Sequence, residues 1–354
     1  MVELAAPGEG ITPMELGQAT RNRGMPLEAL RHDVTPVGLH YLLVHFDIPA
    51  LDADSWRLRV GGSVRRDLEL TLDDIRARPA TTLPVTLECA GNGRARLDPR
   101  PMTQPWLNEA VATSRWTGTS LAGVLEDAGL EPGTVEIVFT GADHGIEGGE
   151  ELDYSRSLPV AEAMRPEILL AYEMNDRPLE PQHGFPLRLL VPGWYGMTSV
   201  KWLSTIEAVT EPFRGFHQAV AYHYQSSDDE PGEPVTRIRP RALMIPPGFP
   251  DFPERRRYVE RGRVTIEGRA WSGTAPIVRV DVGIDGGWVE AKLAEPVGEW
   301  AWRGWSYEWD ATPGDHALSC RAMDQTGDIQ PVRQPWNLQG MGNNLVQRLD
   351  VSVR

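Results

Sequence analysis

Cys89 is the residue of this chain best placed to do chemistry. It ends an apolar run and precedes a glycine turn and two arginines, Arg94 and Arg96, in the segment VTLECAGNGRARLDP. The turn leaves the thiol sterically open, and the guanidinium groups favour the thiolate, which is the form that attacks carbon or binds metal. Three interpretations follow: a buried core cysteine, a nucleophile with a histidine base, or the single thiolate ligand of a metal that a larger cofactor carries. A zinc site is not predicted, because Cys89 lies in no Cys-x-x-Cys or histidine-rich cluster.

The elements around Cys89 predict an α+β first domain. The pattern predicts a buried strand in TTLPVTLECAG and another strand upstream, in LHYLLVHFDIP. A short helix is predicted after the capping residue Thr71, and TSLAGVLEDAGL has helical spacing up to Gly129. Helices and strands are mixed without a regular βαβ repeat, which favours the α+β class.

The pattern of the chain changes after residue 224. The acidic segment QSSDDEPGEP has no hydrophobic periodicity and is the predicted linker. Beyond it, short segments of alternating hydrophobicity are separated by turn signals at residues 285–287 and at Pro313-Gly314. This pattern predicts an antiparallel β-sandwich. We therefore divide the chain into domains at residues 1–232 and 233–354.

Charge and cysteine content limit the partners and the compartment. The formal net charge is −15, so we expect no binding to nucleic acid or to an anionic membrane surface, which need a basic face. Two cysteines predict no disulfide scaffold and favour a reducing compartment. No apolar run approaches the roughly 20 residues of a membrane span, and the amino terminus does not resemble a secretory signal. We expect a cytoplasmic protein, with the periplasm as the alternative if an export signal has been removed.

Several long segments resemble the sulfite oxidase family of molybdopterin-dependent oxidoreductases. LECAGNGR resembles the CAGNRR-type segment of that family, whose cysteine is the one protein thiolate on a molybdenum held by a pterin dithiolene. YEMNDRPLEPQHGFPLRLLVPG with SVKWL is similar to its cofactor-binding stretch, SRWTGTSLAGVL to its strand-to-helix segment, and RAMDQTGDIQP with WNLQGMGNN to the end of its dimerisation domain. The resemblance covers nearly the whole chain. It implies a mixed α+β molybdopterin-binding domain, an immunoglobulin-like β-sandwich and a molybdenum–molybdopterin cofactor.

The resemblance assigns roles to particular residues. Cys89 is expected to ligate molybdenum, Arg94 to line the anion pocket, and Tyr222 to be the active-site tyrosine, with Tyr224 as its alternative because the local match is loose. The expected cofactor-binding residues are Tyr41, His45, Cys89, Asp143, His183, Arg188, Ser199, Val200 and Lys201. From the residues alone, such positions are equally explained as core histidines, turn residues, solvated strand residues or packing aromatics.

The anion pocket departs from the family pattern. Leu43 and Gln339 stand where many members have an arginine, and bulky Trp194 and Tyr195 stand where smaller residues are usual. Removing two cations from a buried dianion site weakens binding by several kcal/mol unless other donors compensate. The candidate substitutes are His217, His223 and Arg96.

The resemblance makes two-electron oxidation of sulfite to sulfate the favoured function. The sequence contains no Cys-x-x-Cys-His haem segment, so we expect the electrons to pass singly to an external acceptor such as a cytochrome c. The reduced cationic pocket makes nitrate or a sulfoxide the alternative substrate. Alternatives of other classes are a cysteine hydrolase that uses Cys89, His183 and Asp143, and a non-enzymatic binding protein. The carboxy-terminal resemblance implies a homodimer.

Overall fold

The computed structural model describes residues 2–354, whose strands form five β-sheets. The α-helices are α1 (Pro13–Arg21), α2 (Leu72–Arg76), α3 (Leu121–Ala128), α4 (Val160–Ala163) and α5 (Phe216–Ala219). Short 3-10 helices cover Leu27–Arg31, Val37–Leu39, Arg94–Arg96, Pro181–His183 and Gly196–Thr198. Within residues 2–354, no helix has the length and apolar character needed to span a membrane.

The strands fall into an amino-terminal and a carboxy-terminal set. The first set is β1 (Leu58–Gly62), β2 (Leu68–Leu70), β3 (Ala80–Glu88), β4 (Val111–Ser120), β5 (Glu136–Glu147), β6 (Glu150–Pro159), β7 (Leu169–Met174), β8 (Arg177–Pro178), β9 (Arg188–Leu190), β10 (Leu203–Val209), β11 (His223–Tyr224) and β12 (Glu233–Pro234). The second set is β13 (Arg241–Met244), β14 (Phe249–Pro250), β15 (Arg257–Val259), β16 (Gly262–Trp271), β17 (Ile277–Ile284), β18 (Gly287–Glu290), β19 (Lys292–Leu293), β20 (Arg303–Ala311), β21 (Gly314–Asp324) and β22 (Gln347–Val353).

Two sheets of the first set, one mixed and one antiparallel, position the segment that carries Cys89. One has the strand order β2-β1-β10-β5-β6, in which β1 and β10 are parallel and the other neighbours antiparallel. The other has the order β3-β4-β7-β8, and β9 also pairs with β7. Strand β3 is exposed at its start and buried over its last residues, so it leads residue 89 into the interior. These sheets with their few helices confirm the predicted α+β class.

Helix α2 begins, and helix α3 begins and ends, where the sequence predicts. The Thr71 hydroxyl accepts a hydrogen bond from the Asp74 N–H at 3.1 Å, and the Asp74 carboxylate accepts one from the Thr71 N–H at 2.9 Å. This reciprocal capping box begins α2. Helix α3 ends at Gly129, whose φ of 71° lies in the left-handed region that glycine adopts without a steric penalty.

The prediction of a strand over LHYLLVHFDIP is wrong. In residues 40–49, which the structure describes, no strand forms, and Leu42 makes one isolated bridge, to Arg23. Side chains from other segments form hydrogen bonds with backbone groups that would otherwise pair with a neighbouring strand. Asn22 Oδ1 accepts from the Val44 N–H at 2.8 Å, and Lys201 Nζ donates to the Leu43 carbonyl at 2.6 Å. The segment is therefore extended and fixed without belonging to a sheet.

The second set of strands forms the predicted β-sandwich. Its sheets have the orders β13-β16-β20-β19 and β14-β15-β22-β21-β17-β18, antiparallel except where β15 meets β22. Trp305, Trp309, Val282 and Cys320 lie in the buried core between them. The ribbon of β11 and β12 pairs the two residues before the predicted linker with the last two residues of that linker. The domain division between residues 232 and 233 falls in this ribbon and stays a prediction.

A buried ion pair joins the sandwich to the end of β3. Arg241 on β13 donates to Oε1 of Glu88 at 2.8 Å, and the two side chains are 2% and 1% exposed. Trp271 Nε1 donates to the other carboxylate oxygen at 2.7 Å, and Asn92 Nδ2 donates to Oε1 at 2.9 Å. A carboxylate with donors on both oxygens can keep its charge when buried. The pair therefore ties both sets of strands to the residue directly before Cys89.

We expect the stability of the sandwich to fall at alkaline pH because of His316. Its Nδ1 donates to Asp285 Oδ2 and its Nε2 to the Thr312 carbonyl, each at 2.8 Å, so the folded state favours the imidazolium. The hydrogen bond to Asp285 raises the pKa of His316. Its stabilising contribution is therefore complete below the unfolded pKa of about 6.5 and is lost as the pH rises through the folded value. Because Asp285 is half exposed, the contribution is at most about 1 kcal/mol.

Urea unfolding of the wild-type protein and of His316→Gln between about pH 6 and about pH 9 measures this contribution. The wild type is expected to be the more stable at the acid end, and the difference to shrink as the pH rises. A difference that does not change with pH would contradict the imidazolium assignment.

Candidate functional site

Most of the predicted site residues line one cleft. The cleft is bounded by residues 40–45, the end of β3, the Gly196–Thr198 turn and the β5–β6 hairpin, and it measures about 640 Å³ including its open mouth. The predicted residues that line it are Tyr41, His45, Cys89, Asp143, His183, Arg188, Ser199, Lys201 and Tyr222. Lining residues that the sequence did not indicate are His40, Leu42, Leu87, Tyr154, Gln182, Gly196 and Met197.

Cys89 lies in the wall of the cleft directly after β3. Its N–H donates to the Ala110 carbonyl and its carbonyl accepts from the Asn92 N–H, each at 2.9 Å. Gly93 has a φ of 92°, and a Cβ there would lie 2.7 Å from the Asn343 carbonyl oxygen, so the turn requires glycine. Burial raises the pKa of the Cys89 thiol, and the charge of Arg94 partly offsets that rise. The residues described here contain no group of three or more His, Cys, Asp and Glu side chains that could hold a metal ion.

Arg188 on β9 brings a buried positive charge to the cleft. Its two terminal nitrogens donate to the carbonyls of His183 and Ser199, each at 3.0 Å, and its guanidinium carbon lies 4.8 Å from the centroid of the Trp116 ring. Burial lowers its pKa to about 10, so the group is charged at neutral pH. The Nε atom has no partner among residues 2–354. The guanidinium is thus rigidly held with its Nε–H free to donate to a ligand.

Lys201 and Asp143 place opposite charges in the same cleft. Lys201 Nζ donates to the Leu43 carbonyl and lies 4.3 Å from the centroid of the Trp202 ring. Burial lowers the pKa of Lys201 and raises the pKa of Asp143, and each charge partly offsets the shift of the other. Asp143 Oδ1 is buried and has no hydrogen-bond partner in the described part of the chain. The carboxylate therefore offers an acceptor to whatever fills the cleft.

Two uncharged histidines, His40 and His183, adjoin Arg188. The Nδ1 of His40 donates to the Tyr41 carbonyl at 2.8 Å, which leaves Nε2 as an acceptor, and this atom has no partner within residues 2–354. The two imidazole rings lie 5.2 Å apart. Burial lowers the pKa of both histidines, that of His40 to about 4. His40 was not among the predicted site residues, although it directly precedes Tyr41 in the sequence.

Tyr222 and His45 form a hydrogen-bonded pair in the cleft. The Tyr222 hydroxyl lies 2.7 Å from His45 Nε2, and the guanidinium carbon of Arg156 lies 5.5 Å from the centroid of the tyrosine ring. Burial raises the pKa of Tyr222 and lowers that of His45 to about 3, so the phenol donates to a neutral imidazole. Tyr224 does not line the cleft and packs on Arg239, with 4.1 Å between its ring centroid and the guanidinium carbon.

Tyr154, which the sequence did not indicate, supports His45 from β6. Its ring centroid lies 4.8 Å from that of His45, and its hydroxyl donates to the Met197 carbonyl at 2.7 Å. It joins the β5–β6 hairpin to the Gly196–Thr198 turn. This contact between distant segments leaves no local signal in the sequence.

Arg94 and Val200 are the predicted residues that do not line the cleft. Arg94 is buried beside Cys89, where its Nε donates to the Gly340 carbonyl at 3.4 Å and one terminal nitrogen lies 3.2 Å from Met341 Sδ. Val200 lies in the core, and its carbonyl accepts from the Leu189 N–H at 2.8 Å. The proposed substitute cations also lie outside the cleft lining: His217, His223 and Arg96.

The unpartnered polar atoms of the cleft fit a polar cofactor. His40 Nε2, Asp143 Oδ1 and Arg188 Nε are all buried without a partner in residues 2–354. Each such group costs about 1–3 kcal/mol when it stays unpaired, and native proteins leave few of them. A pyranopterin with its phosphate presents donors, acceptors and negative charge. The residues present therefore fit the cofactor that the sequence resemblance implies.

Two protein-family models match the chain. The model described as "Oxidoreductase molybdopterin binding domain" matches residues 45–217, and the model described as "Mo-co oxidoreductase dimerisation domain" matches residues 252–354. The first range contains Cys89 and most of the cleft, and the second contains most of the sandwich.

The chain is also similar to several individual proteins. It is 35% identical to "Sulfite oxidase, mitochondrial" of Homo sapiens over 94% of its own length and 64% of that protein. It is 34% identical to "Sulfite oxidase" of Gallus gallus over 87% of its length and 71% of that protein. It is 33% identical to "Nitrate reductase [NADH] 1" of Oryza sativa subsp. japonica over 95% of its length and 40% of that protein.

A solved structure has the same fold over the whole chain. The crystal structure of the sulfane dehydrogenase SoxCD from Paracoccus pantotrophus superposes with a TM-score of 0.82 at 25% sequence identity. The match covers 100% of this chain and 90% of that one.

Proposed function

Because this chain belongs to the sulfite oxidase family of molybdopterin-dependent oxidoreductases, we propose that it oxidises sulfite to sulfate. The observation that carries the proposal is the cleft, which brings Cys89, the buried cations Arg188 and Lys201, and the Tyr222–His45 pair together. In the balanced reaction, sulfite and water give sulfate, two protons and two electrons. Family membership confirms the predicted molybdenum–molybdopterin cofactor and favours the metal-ligand interpretation of Cys89 over the hydrolase and binding-protein ones.

The proposal gives the cleft residues the roles that the sequence resemblance implied. Cys89 supplies the protein ligand of the metal, Arg188 and Lys201 bind anionic and polar edges of the cofactor, and Asp143 accepts from its donors. The remaining cleft residues with a proposed cofactor-binding role are Tyr41, His45, His183 and Ser199. Val200, which the resemblance also assigned to the cofactor, lies in the core beside Ser199 and Lys201. When bound, the cofactor supplies a metal centre that takes two electrons from the substrate and releases them one at a time.

Tyr222 and His45 control a proton at the substrate end of the proposed site. Tyr222 Oη holds its proton at neutral pH because burial raises its pKa, and the neutral His45 Nε2 accepts the hydrogen bond. The phenol is thus oriented without a net charge that would repel an anion. Arg94, buried beside Cys89, contributes the positive charge that favours an anionic substrate. Leu43 makes the neighbouring wall apolar.

Steady-state turnover of molybdenum-loaded protein tests the substrate. Sulfite with a one-electron acceptor, either ferricyanide or a c-type cytochrome, is expected to give saturable oxidation. Nitrate with a reduced dye and a sulfoxide with the same dye serve as comparisons. No turnover at about millimolar sulfite, the upper end of ordinary KM values, would contradict the proposal.

Nitrate is the second candidate substrate, and one feature of the cleft favours it. Leu43 replaces a cation in the cleft lining, and nitrate carries one negative charge where sulfite carries two. The reaction would consume two electrons and two protons and release nitrite and water. A turnover number with nitrate above that with sulfite would establish this alternative.

We also propose an external electron acceptor, a homodimer and a cytoplasmic location. A cytochrome that is reduced at the rate of sulfite oxidation would support the acceptor. The match of residues 252–354 to a dimerisation domain supports the homodimer, and sedimentation that shows only monomer at micromolar protein would contradict it. Fractionation of the source cells tests the location.

Arg188→Met is expected to weaken the affinity for the molybdenum cofactor at least about tenfold, which corresponds to about 1.4 kcal/mol of binding free energy, and so to lower the molybdenum bound per protein. The change removes a buried charge and the unused donor at Nε. Elemental analysis of folded protein measures it. The matched control is Arg59→Met, because Arg59 is 75% exposed. Full molybdenum occupancy in Arg188→Met would contradict the cofactor-binding role.

A further inference from the structure

Gln339 is buried next to Tyr222, and both ends of its amide bind the backbone around that residue. Its Nε2 donates to the Val220 carbonyl at 3.0 Å, and its Oε1 accepts from the His223 N–H at 3.1 Å. The side chain is 9% exposed. The two hydrogen bonds therefore bracket Tyr222 from both sides in the sequence.

The backbone of Tyr222 has a conformation that needs such support. Its φ is 64°, in the left-handed region that costs an L-residue with a Cβ atom. Its carbonyl accepts from the Val235 N–H at 2.9 Å. Sparsely populated backbone conformations persist when several surrounding contacts determine them together. The Gln339 amide supplies two of the contacts that do so here.

The segment that presents Gln339 is itself fixed. Asn337 Nδ2 donates to the Met341 carbonyl at 2.7 Å, and Asn337 Oδ1 accepts from the Met341 N–H at 2.9 Å. The same segment contacts Arg94 through Gly340 and Met341. Residues 337–341 thus reach from the carboxy-terminal part of the chain to two residues of the proposed catalytic set.

We infer that Gln339 is a positioning residue, whose amide holds the turn that directs the Tyr222 hydroxyl to His45 in the cleft. The inference rests on the proposed function in taking Tyr222 as a residue of the active site. Position 339 is one of the two at which the sequence departs from the arginines of the family pattern. An arginine there could donate to the Val220 carbonyl but could not accept from the His223 N–H, because a guanidinium has no acceptor. Compared with the family pattern, glutamine at position 339 therefore removes a cation and adds two hydrogen bonds to the backbone on either side of Tyr222. We call this pair of hydrogen bonds the clamp.

Amide hydrogen exchange of the molybdenum-loaded protein tests the clamp directly. Gln339→Met keeps the side-chain volume and removes both hydrogen bonds, so exchange of the His223 amide is expected to accelerate about tenfold or more. Gln339→Glu keeps an acceptor for that amide and is expected to restore most of its protection. The matched control is Gln334→Met, because the Gln334 amide makes the same kind of two-sided contact to the backbone of Asp98, at 3.3 and 3.2 Å. This control is expected to leave exchange in residues 219–225 unchanged.

A double-mutant cycle separates positioning from general destabilisation. Gln339→Met is expected to lower kcat/KM for sulfite about 10-fold to 100-fold in the wild-type background, because small misplacements of a reacting group have effects of that size. In the Tyr222→Phe background, the same change is expected to cost less than about threefold, since the hydroxyl it positions is absent. Equal losses in both backgrounds would overturn the inference.

The outcomes distinguish this inference from the proposed substrate. If the exchange results are as expected and the wild-type protein does not oxidise sulfite, the substrate proposal fails and the clamp stands. If the wild type oxidises sulfite and Gln339→Met matches it in exchange and rate, the clamp is overturned and the substrate proposal stands. If Gln339→Met does not fold, Gln339→Asn is tested instead, because its side chain is one methylene too short to reach both partners. Exchange of the His223 amide at the wild-type rate in Gln339→Asn overturns the clamp.

Discussion

Cys89→Ser is expected to lower sulfite turnover of the molybdenum-loaded protein at least about a thousandfold. A serine oxygen is a harder and weaker donor than a thiolate, and loss of a direct ligand should exceed the 10–100-fold effect of outer partners. The measurement is kcat/KM for sulfite, with the visible spectrum recorded on the same sample. The thiolate-to-molybdenum charge-transfer band is expected to disappear.

Cys320→Ser is the matched control for this experiment. Cys320 is fully buried in the sandwich core, where its Sγ lies 3.8 Å from Gln347 Oε1. The control variant is expected to keep both the band and the turnover number, with some loss of stability from a hydroxyl in an apolar site. Retention of the band in Cys89→Ser would contradict the ligand assignment.

Arg241→Met is expected to lower the free energy of unfolding by about 3–5 kcal/mol, because it leaves the Glu88 carboxylate charged and buried without its cation. Arg241 and Glu88 lie 2.8 Å apart and are almost fully buried. Urea unfolding at pH 7 measures the change, or the thermal midpoint if unfolding is irreversible. We expect this loss of stability to exceed that from breaking any other ion pair, since the Arg241–Glu88 pair is almost fully buried and joins both sets of strands.

Glu69→Gln provides the matched control for the ion pair. Glu69 lies 3.6 Å from Arg59, with both side chains more than half exposed, and such pairs contribute about 0–1 kcal/mol. The double variant Glu88→Gln with Arg241→Met should recover part of the loss, because no unpaired charge remains. Equal, small effects of Arg241→Met and Glu69→Gln would contradict the structural role of the buried pair.

The parts of the fold and site that local chemistry determines were predictable. The Thr71 cap, the turn at Gly129 and the strand that ends directly before Cys89 each depend on residues that are adjacent in sequence. Long motif similarity also indicated residues of the cleft that come from separate strands. Among them, Arg188 and Lys201 line it together with Cys89.

The parts that depend on distant contacts were not predictable from patterns. Residues 40–49 contain the apolar run expected of a strand, yet the side chains of Asn22 and Lys201 bind their backbone in place of a neighbouring strand. His40 and Tyr154 line the cleft only because separate segments fold against each other. From the sequence, Gln339 was noted only because many family members have an arginine at that position. Its contacts with the backbone around Tyr222 join segments more than 100 residues apart and are seen only in the folded structure.

X-ray absorption at the molybdenum edge counts the sulfur atoms bound to the metal and therefore tests whether Cys89 is its protein ligand. One sulfur ligand fewer is expected in Cys89→Ser than in wild-type protein, with the cofactor still bound in both. The same sulfur count in the two proteins would contradict the assignment of Cys89 as the protein ligand and, with it, the proposed active site.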